Sequence, residues 1–411
     1  MRIGLALRQF DPRRGGAEQW TTQLATQLLA RGHEVHVVAE RFGEQTREMS
    51  IAAHRLHGFR SRTDFAAAAQ ARLLSLSLDV IHDMGSGWCC DVFQPHAGSL
   101  AALQRRKLKT VAPWLRPLKS RFDRLLLRHR EFRALLERQY LDDGRFLVAL
   151  SQKVAVDFQR FHGVHPRRIR LIYNGVDTER FCPRLRNSYR RRIRRRLGVA
   201  DDALLILIVT HNFRLKGVPM LLRAVKSLKK RKMPVHLAVV GGKRLGGWIG
   251  SARRLGIERV VSFVGSVDDT VPYYAAADLY VHPTFYDACS LVVLEALSSG
   301  LPVVTSAQNG AGELMTEGIE GYVIPDPADL GELLGRIELL FDADLRRRMG
   351  EAARRLALKH TLSRNVDQVL EVYEEAFQDQ ASRAVGSIRP ASAYSGDITD
   401  GRRNPRLARS A

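Results

Sequence analysis

The stretch HPTFYDACSLVVLEALSSGLPVVTS, His282–Ser306, predicts the end of a strand, a loop, a short helix and another strand. Pro283 closes the first strand, and Ser290 is a suitable N-cap for the helix. Core packing explains the Leu and Val residues, but it does not explain two acids, Asp287 in the loop and Glu295 inside the helix. The order predicts one unit of a parallel α/β sheet with polar groups at its ligand-binding edge.

The same alternation extends in both directions from this stretch. Residues 2–173 alternate strand-like segments such as RIGLALR and EVHVVAE with helical patterns, and a second series begins at ALLILIVT, Ala203–Thr210. Short buried strands separated by helices are typical of doubly wound sheets. The chain is therefore predicted to be an α/β protein with two Rossmann-like domains that face each other across a ligand-binding cleft.

The predicted boundaries follow from these series and from composition. An Asn-Gly turn in LIYNGVDTERFCP marks the connector between domains, and a small, polar and basic composition marks the end of the chain. The predicted units are an N-terminal domain at 1–173 with a basic helical insertion at about 100–140, a C-terminal domain at 174–360, a helix returning towards the first domain at 361–380, and a disordered tail at 381–411.

Composition bounds the class of protein. The 411 residues are 45% hydrophobic and 26% charged, as in soluble globular proteins. The sequence contains no run of eighteen apolar residues, so no membrane span is predicted. The N-terminus reads as a first strand rather than a secretory signal, so a cytoplasmic location is expected. The cysteines lack metal-ligand spacing and are expected to be free thiols; they are Cys89, Cys90, Cys182 and Cys289.

A formal net charge of +22 predicts attraction to polyanions such as nucleic acid, anionic lipid or phosphorylated glycans. Twelve Lys or Arg lie against three acids in Leu103–Arg138, and eight Arg with no acid lie in Arg184–Gly198. The first cluster carries an apolar stripe at helical spacing, which fits either a surface helix or a helix at a membrane interface. The role of the run from Arg184 to Arg196 stays open. The stripe consists of Phe122, Leu125, Leu126, Phe132, Leu136 and Tyr140.

Candidate ligand groups collect at the strand ends of the second series. Arg214 and Lys216 follow an apolar strand, where two cations suit a diphosphate. Carboxylates suit sugar hydroxyls, and amides at a helix start suit phosphate, so together they suit a nucleotide-sugar. Capping, surface ion pairing and solvated loop charge remain alternative explanations. The predicted helix-start amides are those of Cys289, Ser290 and Leu291.

Three motifs together give the chain a resemblance to the retaining glycosyltransferases of family four, which have the GT-B fold. They are the pair Asp287-x7-Glu295 followed by ALSSGLPVV, the segment NFRLKG and the segment YNGVDTERF. The resemblance runs from the N-terminus to about residue 378. It implies that Glu295 holds the ribose hydroxyls, that Asp287 contacts the donor sugar, and that Arg214 and Lys216 stabilise the diphosphate. Two features depart from the family pattern: Asp287 stands where Glu is usual, and the Arg–Lys spacing varies.

The resemblance also implies roles in the N-terminal domain. Gly15 and Gly16 match the family's glycine loop beside donor or acceptor, and His96 matches its cleft histidine. Glu313 is expected to have a structural or supporting role. The chain has no Asp-x-Asp motif for a metal-diphosphate, and the family's GT-B chemistry implies neither metal nor other cofactor.

Within the family, the chain resembles lipopolysaccharide core glucosyltransferases. This narrower resemblance rests on three segments: FRLKGV, the stretch His282–Ser306 and the basic insertion. This implies retaining transfer of a hexose, expected to be glucose from UDP-glucose, to a lipid-linked glycan at the inner face of the cytoplasmic membrane. The basic helix 103–138 would attach the protein there. The alternatives are a nucleic-acid-binding protein, which charge alone permits, a GT-B epimerase or phosphorylase, and a catalytically silent GT-B scaffold.

Overall fold

A computed structural model of the chain describes residues 1–111, 113–127, 130–141 and 143–387. Strands and helices alternate along both halves of this part of the chain. The strands are β1 (Arg2–Ala6), β2 (Gln9–Phe10), β3 (Glu34–Ala39), β4 (Arg41–Phe42), β5 (Ala52–Arg55), β6 (Val80–Asp83), β7 (Val92–Phe93), β8 (Phe146–Ala149), β9 (Ile169–Leu171), β10 (Leu204–Val209), β11 (Val235–Val240), β12 (Val261–Gly265), β13 (Leu279–His282), β14 (Val303–Ser306) and β15 (Gly321–Ile324). The helices are α1 (Gly16–Ala30), α2 (Arg62–Leu74), α3 (Leu100–Lys109), α4 (Arg116–Leu127), α5 (Arg130–Gln139), α6 (Gln152–His162), α7 (Arg186–Leu197), α8 (Val218–Lys230), α9 (Gly246–Arg254), α10 (Val271–Ala276), α11 (Leu291–Ser298), α12 (Leu330–Leu339), α13 (Ala343–Ala357) and α14 (Leu362–Ser387).

Two parallel sheets organise these elements. The first has the order β5-β3-β1-β6-β7-β8-β9 and the second β12-β11-β10-β13-β14-β15, and every neighbouring pair is parallel. In each sheet the strand order reverses beside the first strand, at β1/β6 and at β10/β13, which is where ligands of doubly wound folds bind. The predicted fold class, two facing α/β domains, is confirmed.

Sequence pattern explains how the elements bury their faces. All six residues of β10, Leu204–Val209, are buried, as expected for a strand covered by helices on both sides. In α1 the predicted stripe of Trp20, Leu24 and Leu28 is fully buried against the first sheet. Each such side chain contributes about 1.5–3 kcal/mol by leaving water.

The C-terminal helix α14 belongs to the second half of the sequence but packs on the first domain. Asn365 Oδ1 accepts a hydrogen bond from Trp20 Nε1 at 2.9 Å, and the Tyr373 hydroxyl lies 2.7 Å from Nδ1 of His82. The chain passes from the first domain to the second near Val176 and returns beside it, since Val176 pairs with Thr361. The two crossings therefore lie side by side.

The end of α14 corrects one prediction. The helix continues to Ser387, past the predicted start of the disordered tail at residue 381. Arg383 explains the extension: it pairs with Asp379 one turn earlier at 2.8 Å and donates to the Asp143 carbonyl at 2.6 Å. The rest of the predicted tail, 388–411, lies outside the described residues.

The basic insertion is not the single helix predicted for 103–138. It contains α3, α4 and α5, and a 3-10 turn at Pro113–Leu115 separates the first two, because proline has no amide hydrogen and disfavours helix in the residue before it. Of the predicted apolar stripe, Tyr140 is buried and stacks on His162, with ring centroids 3.6 Å apart, and Leu136 is partly buried. Four stripe side chains lie outside the described ones: Phe122, Leu125, Leu126 and Phe132.

Candidate active site

Two adjoining cavities lie at the carboxyl ends of the second sheet's strands, where the domains meet. The larger, of about 790 Å³, is lined by Arg13 and Arg14 of the first domain and by cations of the second. The smaller, of about 420 Å³, lies between the glycine loop and α11. Five residues line both cavities, so they form one continuous cleft; these are Arg13, His211, Ser266, Val267 and Asp268.

Lys216 and Asp287 meet directly. The Lys216 ammonium forms an ion pair with Asp287 Oδ2 and donates to the carbonyl of Tyr286 at 3.2 Å. The turn that delivers Lys216 requires Gly217, whose φ is +79° and whose place a Cβ could not occupy without striking the Pro283 carbonyl. Two loops that are distant in sequence thus bring together a cation and a carboxylate.

Asp287 is held in place by backbone pairing as well as by charge. Its amide donates to the Gln308 carbonyl at 3.0 Å, and its carbonyl accepts from the Gly310 amide at 3.0 Å. Burial alone would raise the pKa of the Asp287 carboxyl, but Lys216 and His282 hold that pKa well below its usual range. Asp287 is therefore ionised at neutral pH.

His282 lies beside the ion pair of Lys216 and Asp287, and the sequence analysis did not predict it as a site residue. Its Nε2 lies 3.6 Å from Asp287 Oδ2, and its Nδ1 lies 3.3 Å from the hydroxyl of Tyr280. Burial lowers the pKa of His282, although Asp287 opposes the shift. The available signal was its position as the last residue of β13, at the ligand-binding edge.

Glu295 belongs to a separate hydrogen-bonded group. It lines the smaller cavity, it is 5% exposed, and its Oε2 accepts from the Tyr274 hydroxyl at 2.9 Å. Burial raises the pKa of Glu295 to about 7, despite the opposing effects of Tyr274 and Arg180. Asp287 and Glu295 thus lie in the same region of the domain, but they have different partners and opposite pKa shifts.

Arg214 does not join Lys216. It is exposed and lines the larger cavity together with Lys243 and Arg244 of its own domain and Arg13 and Arg14 of the other. FRLKG forms a turn, in which the Lys216 amide donates to the Asn212 carbonyl at 3.0 Å, and this turn directs Lys216 to Asp287 and Arg214 to the larger cavity. Sequence reasoning missed the other four cations, although DPRRGG and GGKRLGG place two adjacent cations beside glycines.

The helix start differs from its prediction. α11 begins at Leu291 with Ser290 at the N-cap, but the Ser290 amide donates to Asn309 Oδ1 at 3.2 Å and is not free for a phosphate. The carbonyl of Cys289 accepts from Asn174 Nδ2 at 2.7 Å, which anchors the loop. Leu291 lines the smaller cavity. Of the predicted amide trio, Ser290 is therefore corrected to a structural position.

The glycine loop lies against this helix. Gly15 and Gly16 line the smaller cavity, and α1 begins at Gly16. A Cβ on Gly16 would lie 3.2 Å from Leu291 Cδ1, so a larger residue would require the Leu291 side chain to shift by a few tenths of an ångström. The first and second domains therefore both contribute to the space beside Glu295.

His96 lies at the carboxyl end of β7 in the first domain. Its ring contacts Trp20, with centroids 4.7 Å apart, and its buried Nε2 has no hydrogen-bond partner among the described residues. Burial lowers the pKa of His96 to about 3, so the imidazole is neutral at physiological pH. In the described part of the chain, no hydrogen bond or ring contact links His96 to Lys216 or Asp287.

Glu313 connects the domains. It accepts hydrogen bonds from the amides of Gln152 at 2.8 Å and Lys153 at 3.0 Å, at the start of α6 in the first domain, and from the Tyr173 hydroxyl at 2.9 Å. A second contact runs in the other direction, because the Lys153 ammonium of the first domain donates to Gln308 Oε1 of the second at 2.6 Å. A carboxylate at a helix N-terminus is stabilising, so this contact holds the two domains in register.

Within the described residues, no group of three or more histidine, cysteine, aspartate or glutamate side chains is arranged to hold a metal ion. The cations named above are the groups of the cleft that suit an anionic ligand.

Two family models match the chain in succession. "Glycosyltransferase Family 4" matches residues 14–180, and "Glycosyl transferases group 1" matches residues 189–356. Between them they cover all strands of the second sheet, most strands of the first, and the site residues Gly15, Gly16, Lys216, Asp287 and Glu295.

Individual relatives agree with the family models. The lipopolysaccharide glucosyltransferase WaaG of Escherichia coli (strain K12) is 27% identical, over 84% of this chain and 91% of the relative. The D-inositol 3-phosphate glycosyltransferase of Corynebacterium jeikeium (strain K411) is 32% identical over 60% of this chain. That match spans 61% of the relative's own length, and a second such enzyme, of Corynebacterium urealyticum (strain ATCC 43042 / DSM 7109), is matched over 60% of its length.

Solved structures give the same result. The crystal structure of WaaG, described as a glycosyltransferase involved in lipopolysaccharide biosynthesis, superposes with a TM-score of 0.76 at 25% identity over 90% of this chain and 99% of that one. Anabaena Alr3699/HepE in complex with UDP shares the fold, with a TM-score of 0.71 at 20% identity over 91% of this chain and 100% of that one. The chain belongs to the family-four glycosyltransferases of GT-B fold.

Proposed function

We propose that the protein transfers a hexose, glucose in the first instance, from a nucleotide-sugar such as UDP-glucose to a lipid-linked glycan of the lipopolysaccharide-core type. The observation that carries the proposal is the interdomain cleft. It combines a buried acid, Glu295, a glycine loop and a cluster of cations drawn from both domains. The ion pair of Lys216 with the ionised Asp287 lies in the loops that follow β10 and β13, at the same edge of the second sheet. A nucleotide-sugar needs partners for hydroxyls and for a diphosphate, and this cleft offers both kinds.

Each group has a proposed role. Glu295 accepts the ribose hydroxyls, beside a glycine loop that leaves room for the donor. Lys216 binds the diphosphate, which takes the place of Asp287 as the partner of its ammonium. Asp287, once released, accepts from a hydroxyl of the donor sugar. Arg214 contributes to the positive potential of the outer cleft rather than to a paired contact with Lys216.

The proposed reaction retains configuration at the anomeric carbon. The bond from that carbon to the diphosphate oxygen breaks, and the acceptor hydroxyl forms its new bond on the same face. The acceptor proton passes to the leaving phosphate, so no separate protein base is required. Charge that develops on the leaving group is stabilised by Lys216, with cleft cations in place of a divalent metal.

The proposed acceptor is presented at the inner face of the cytoplasmic membrane, and the basic insertion attaches the protein there. Trp114 is 78% exposed and Leu118 is 69% exposed, and basic residues such as Arg116 surround them. Exposed apolar side chains among cations suit an anionic membrane surface, where each cation contributes about 1 kcal/mol. No described helix has the length and apolar character to cross a bilayer.

The donor is tested by thermal unfolding with UDP-, GDP- and ADP-sugars, in buffer with EDTA and again with added divalent cation. A ligand at 100 times its Kd stabilises the native state by about 2.7 kcal/mol, so the true donor raises Tm by several degrees. We expect UDP-glucose to give the largest shift, unchanged by EDTA. A larger shift with another donor, or one that requires metal, would revise the donor or the metal-independent mechanism.

The acceptor is tested by supplying two kinds of molecule with the identified donor. One is truncated lipopolysaccharide core, the other is D-inositol 3-phosphate, which the name of the 32% identical relatives suggests. We expect transfer to the core glycan with the anomeric configuration of the donor retained by NMR. Transfer to the inositol phosphate alone would replace the acceptor, and an inverted product would exclude the retaining mechanism.

A further inference from the structure

A second large cavity lies at the opposite edge of the second sheet from the cleft. Its volume is about 630 Å³, within the range of ligand pockets. It is lined by Asp278 and Pro302, which immediately precede β13 and β14, whereas the cleft groups follow the carboxyl ends of strands. Because the strands are parallel, the two sites lie at opposite ends of them. This cavity is therefore separate from the proposed donor site.

Arginine dominates the lining. Six arginines and two carboxylates, Asp278 and Glu351, face the space, and we call it the arginine cavity. The arginines come from two helices: Arg186 and Arg190 from α7, and Arg346, Arg347, Arg354 and Arg355 from α13.

The α7 side is rigidly built around Asp278. Three arginines spaced four residues apart share this one buried carboxylate: Arg186 at 2.9 Å, Arg190 at 2.8 Å and Arg194 at 2.9 Å. One carboxylate neutralises only one of the three charges. Burial lowers the pKa of Arg186, and its neighbour Arg190 lowers it further, as expected where positive charge is in excess.

The α13 side adds to that excess. Arg347 pairs with Glu351 at 3.1 Å, whereas Arg354 is held by carbonyls, including that of Ser298 at 2.9 Å. Arg346 has a carbonyl partner, Leu340, at 2.6 Å. Among the described residues, Arg355 has neither an ion pair nor a hydrogen bond, and Arg346 has no carboxylate partner. Guanidinium donors thus remain available along one wall.

We propose that the arginine cavity binds an anion carrying two or more phosphoryl groups. Guanidinium groups match phosphate oxygens in geometry and stay charged at all physiological pH values, and several of them can surround a compact polyphosphate. The buried Asp278 cluster fixes the α7 wall before ligand arrives, which reduces the entropic cost of binding. The proposal also assigns a role to part of the run Arg184–Arg196, since Arg186 and Arg190 line the cavity and would bind the anion.

Inorganic tripolyphosphate serves as the probe, in isothermal titration at low and at physiological salt. The cationic cleft also attracts it, so the titrations use a background in which Arg214→Gln and Lys243→Gln weaken that site. On this background we compare Arg346→Gln/Arg355→Gln with a matched control, Arg253→Gln/Arg259→Gln, whose arginines are exposed and line neither site. We expect one bound tripolyphosphate per chain, at least tenfold weaker binding in the first variant, and little change in the control.

Hydrogen exchange on the wild-type chain gives a second readout that does not depend on the variants folding well. Tripolyphosphate should protect amides of α13 as well as those beside the cleft. Equal affinity in variant and control, together with no protection of α13, would overturn the proposal.

Two sources of phosphoryl groups, a soluble molecule and lipid headgroups, are distinguished by flotation with vesicles. The same variants are tested with cardiolipin vesicles, whose headgroup carries two phosphodiester groups, and with phosphatidylcholine vesicles. Loss of cardiolipin binding in Arg346→Gln/Arg355→Gln but not in the control variant, alongside the weaker tripolyphosphate binding, would assign the site to a membrane headgroup. Tripolyphosphate binding without a vesicle effect would assign it to a soluble polyphosphate ester.

Discussion

Asp287 and Glu295 lie eight residues apart in sequence, and their surroundings drive their protonation in opposite directions. Asp287 has a cation at hydrogen-bond distance, so it stays ionised despite burial. Glu295 has a neutral hydroxyl partner, and burial raises its pKa to about 7. Asp287 is thus an anion at neutral pH, beside the proposed position of the donor sugar, and Glu295 changes its charge in the physiological range.

Lys216→Ala should reduce turnover by about 10²–10³-fold, because it removes a preorganised cation from the leaving group. The matched control is Lys226→Ala, an exposed lysine on α8. The measurement is kcat with the identified donor, alongside thermal unfolding to verify that each variant is folded. Turnover within a few-fold of wild type would refute the role of Lys216.

Glu295→Gln should change the pH dependence of stability. The folded-state pKa of about 7 lies above the ordinary glutamate value of 4.5, so between these two pH values the folded protein holds a proton that the unfolded chain releases. Stability from this group is present at low pH and is lost as pH rises through about 7. The Gln variant cannot ionise, and it should gain Tm relative to wild type at pH 8 but not at pH 4.5. Equal differences at both pH values, or the same pattern in the exposed control Glu258→Gln, would contradict this.

At the scale of elements, short segments of one domain complete helices of the other. Ser151 caps α6 from within the first domain, by accepting from the Val154 amide at 3.3 Å. Glu313 of the second domain accepts from the amides of Gln152 and Lys153 in the same first turn. Glu313 stands in a 3-10 turn, Gly310–Leu314, that follows β14 closely. Sequence alone predicted a supporting role for it, but its partners are 160 and 161 residues away and carry no local signal.

Glu313→Ala should loosen this contact between domains. Loss of a capping acceptor costs about 0.5–2 kcal/mol, so Tm should fall and the amides of Gln152 and Lys153 should exchange faster with solvent. Glu371→Ala, on the exposed face of α14, is the control and should change neither quantity. Unaltered exchange at the start of α6 in the Glu313 variant would show that the contact does not hold the domains together.

At the scale of the molecule, the two domains are joined by two adjacent crossings and by α14. The first crossing includes Asn174, buried against the α11 loop, and the second leads from Thr361 into α14. Ion pairs such as Arg168 with Asp379 at 2.9 Å then fasten the last helix to the first domain. The surplus of positive charge is distributed over the outside of this assembly, at the basic insertion, along the cleft and around the arginine cavity.

The basic insertion should bind vesicles that contain phosphatidylglycerol and should not bind pure phosphatidylcholine. Trp114→Ala/Leu118→Ala should weaken flotation several-fold, because it removes exposed apolar area that enters the interface. Leu339→Ala/Leu358→Ala is the control, since these side chains are 48% and 46% exposed in another domain. Equal binding to both kinds of vesicle would refute electrostatic attachment.

The sequence by itself determined the fold class, the succession of the main strands along the chain and the two acids that mark the candidate site. These properties depend on local periodicity, on turn residues and on chain neighbours, which are legible along the sequence. Only the tertiary structure decided that Lys216 pairs with Asp287, that His282 joins them, that the Ser290 amide is occupied and that three arginines of α7 share Asp278. These contacts form because folding brings loops that are distant in sequence together in the buried interior, where the dielectric constant is low. The strength of a charge interaction there depends on distance and burial, and not on the spacing of the two residues in the chain.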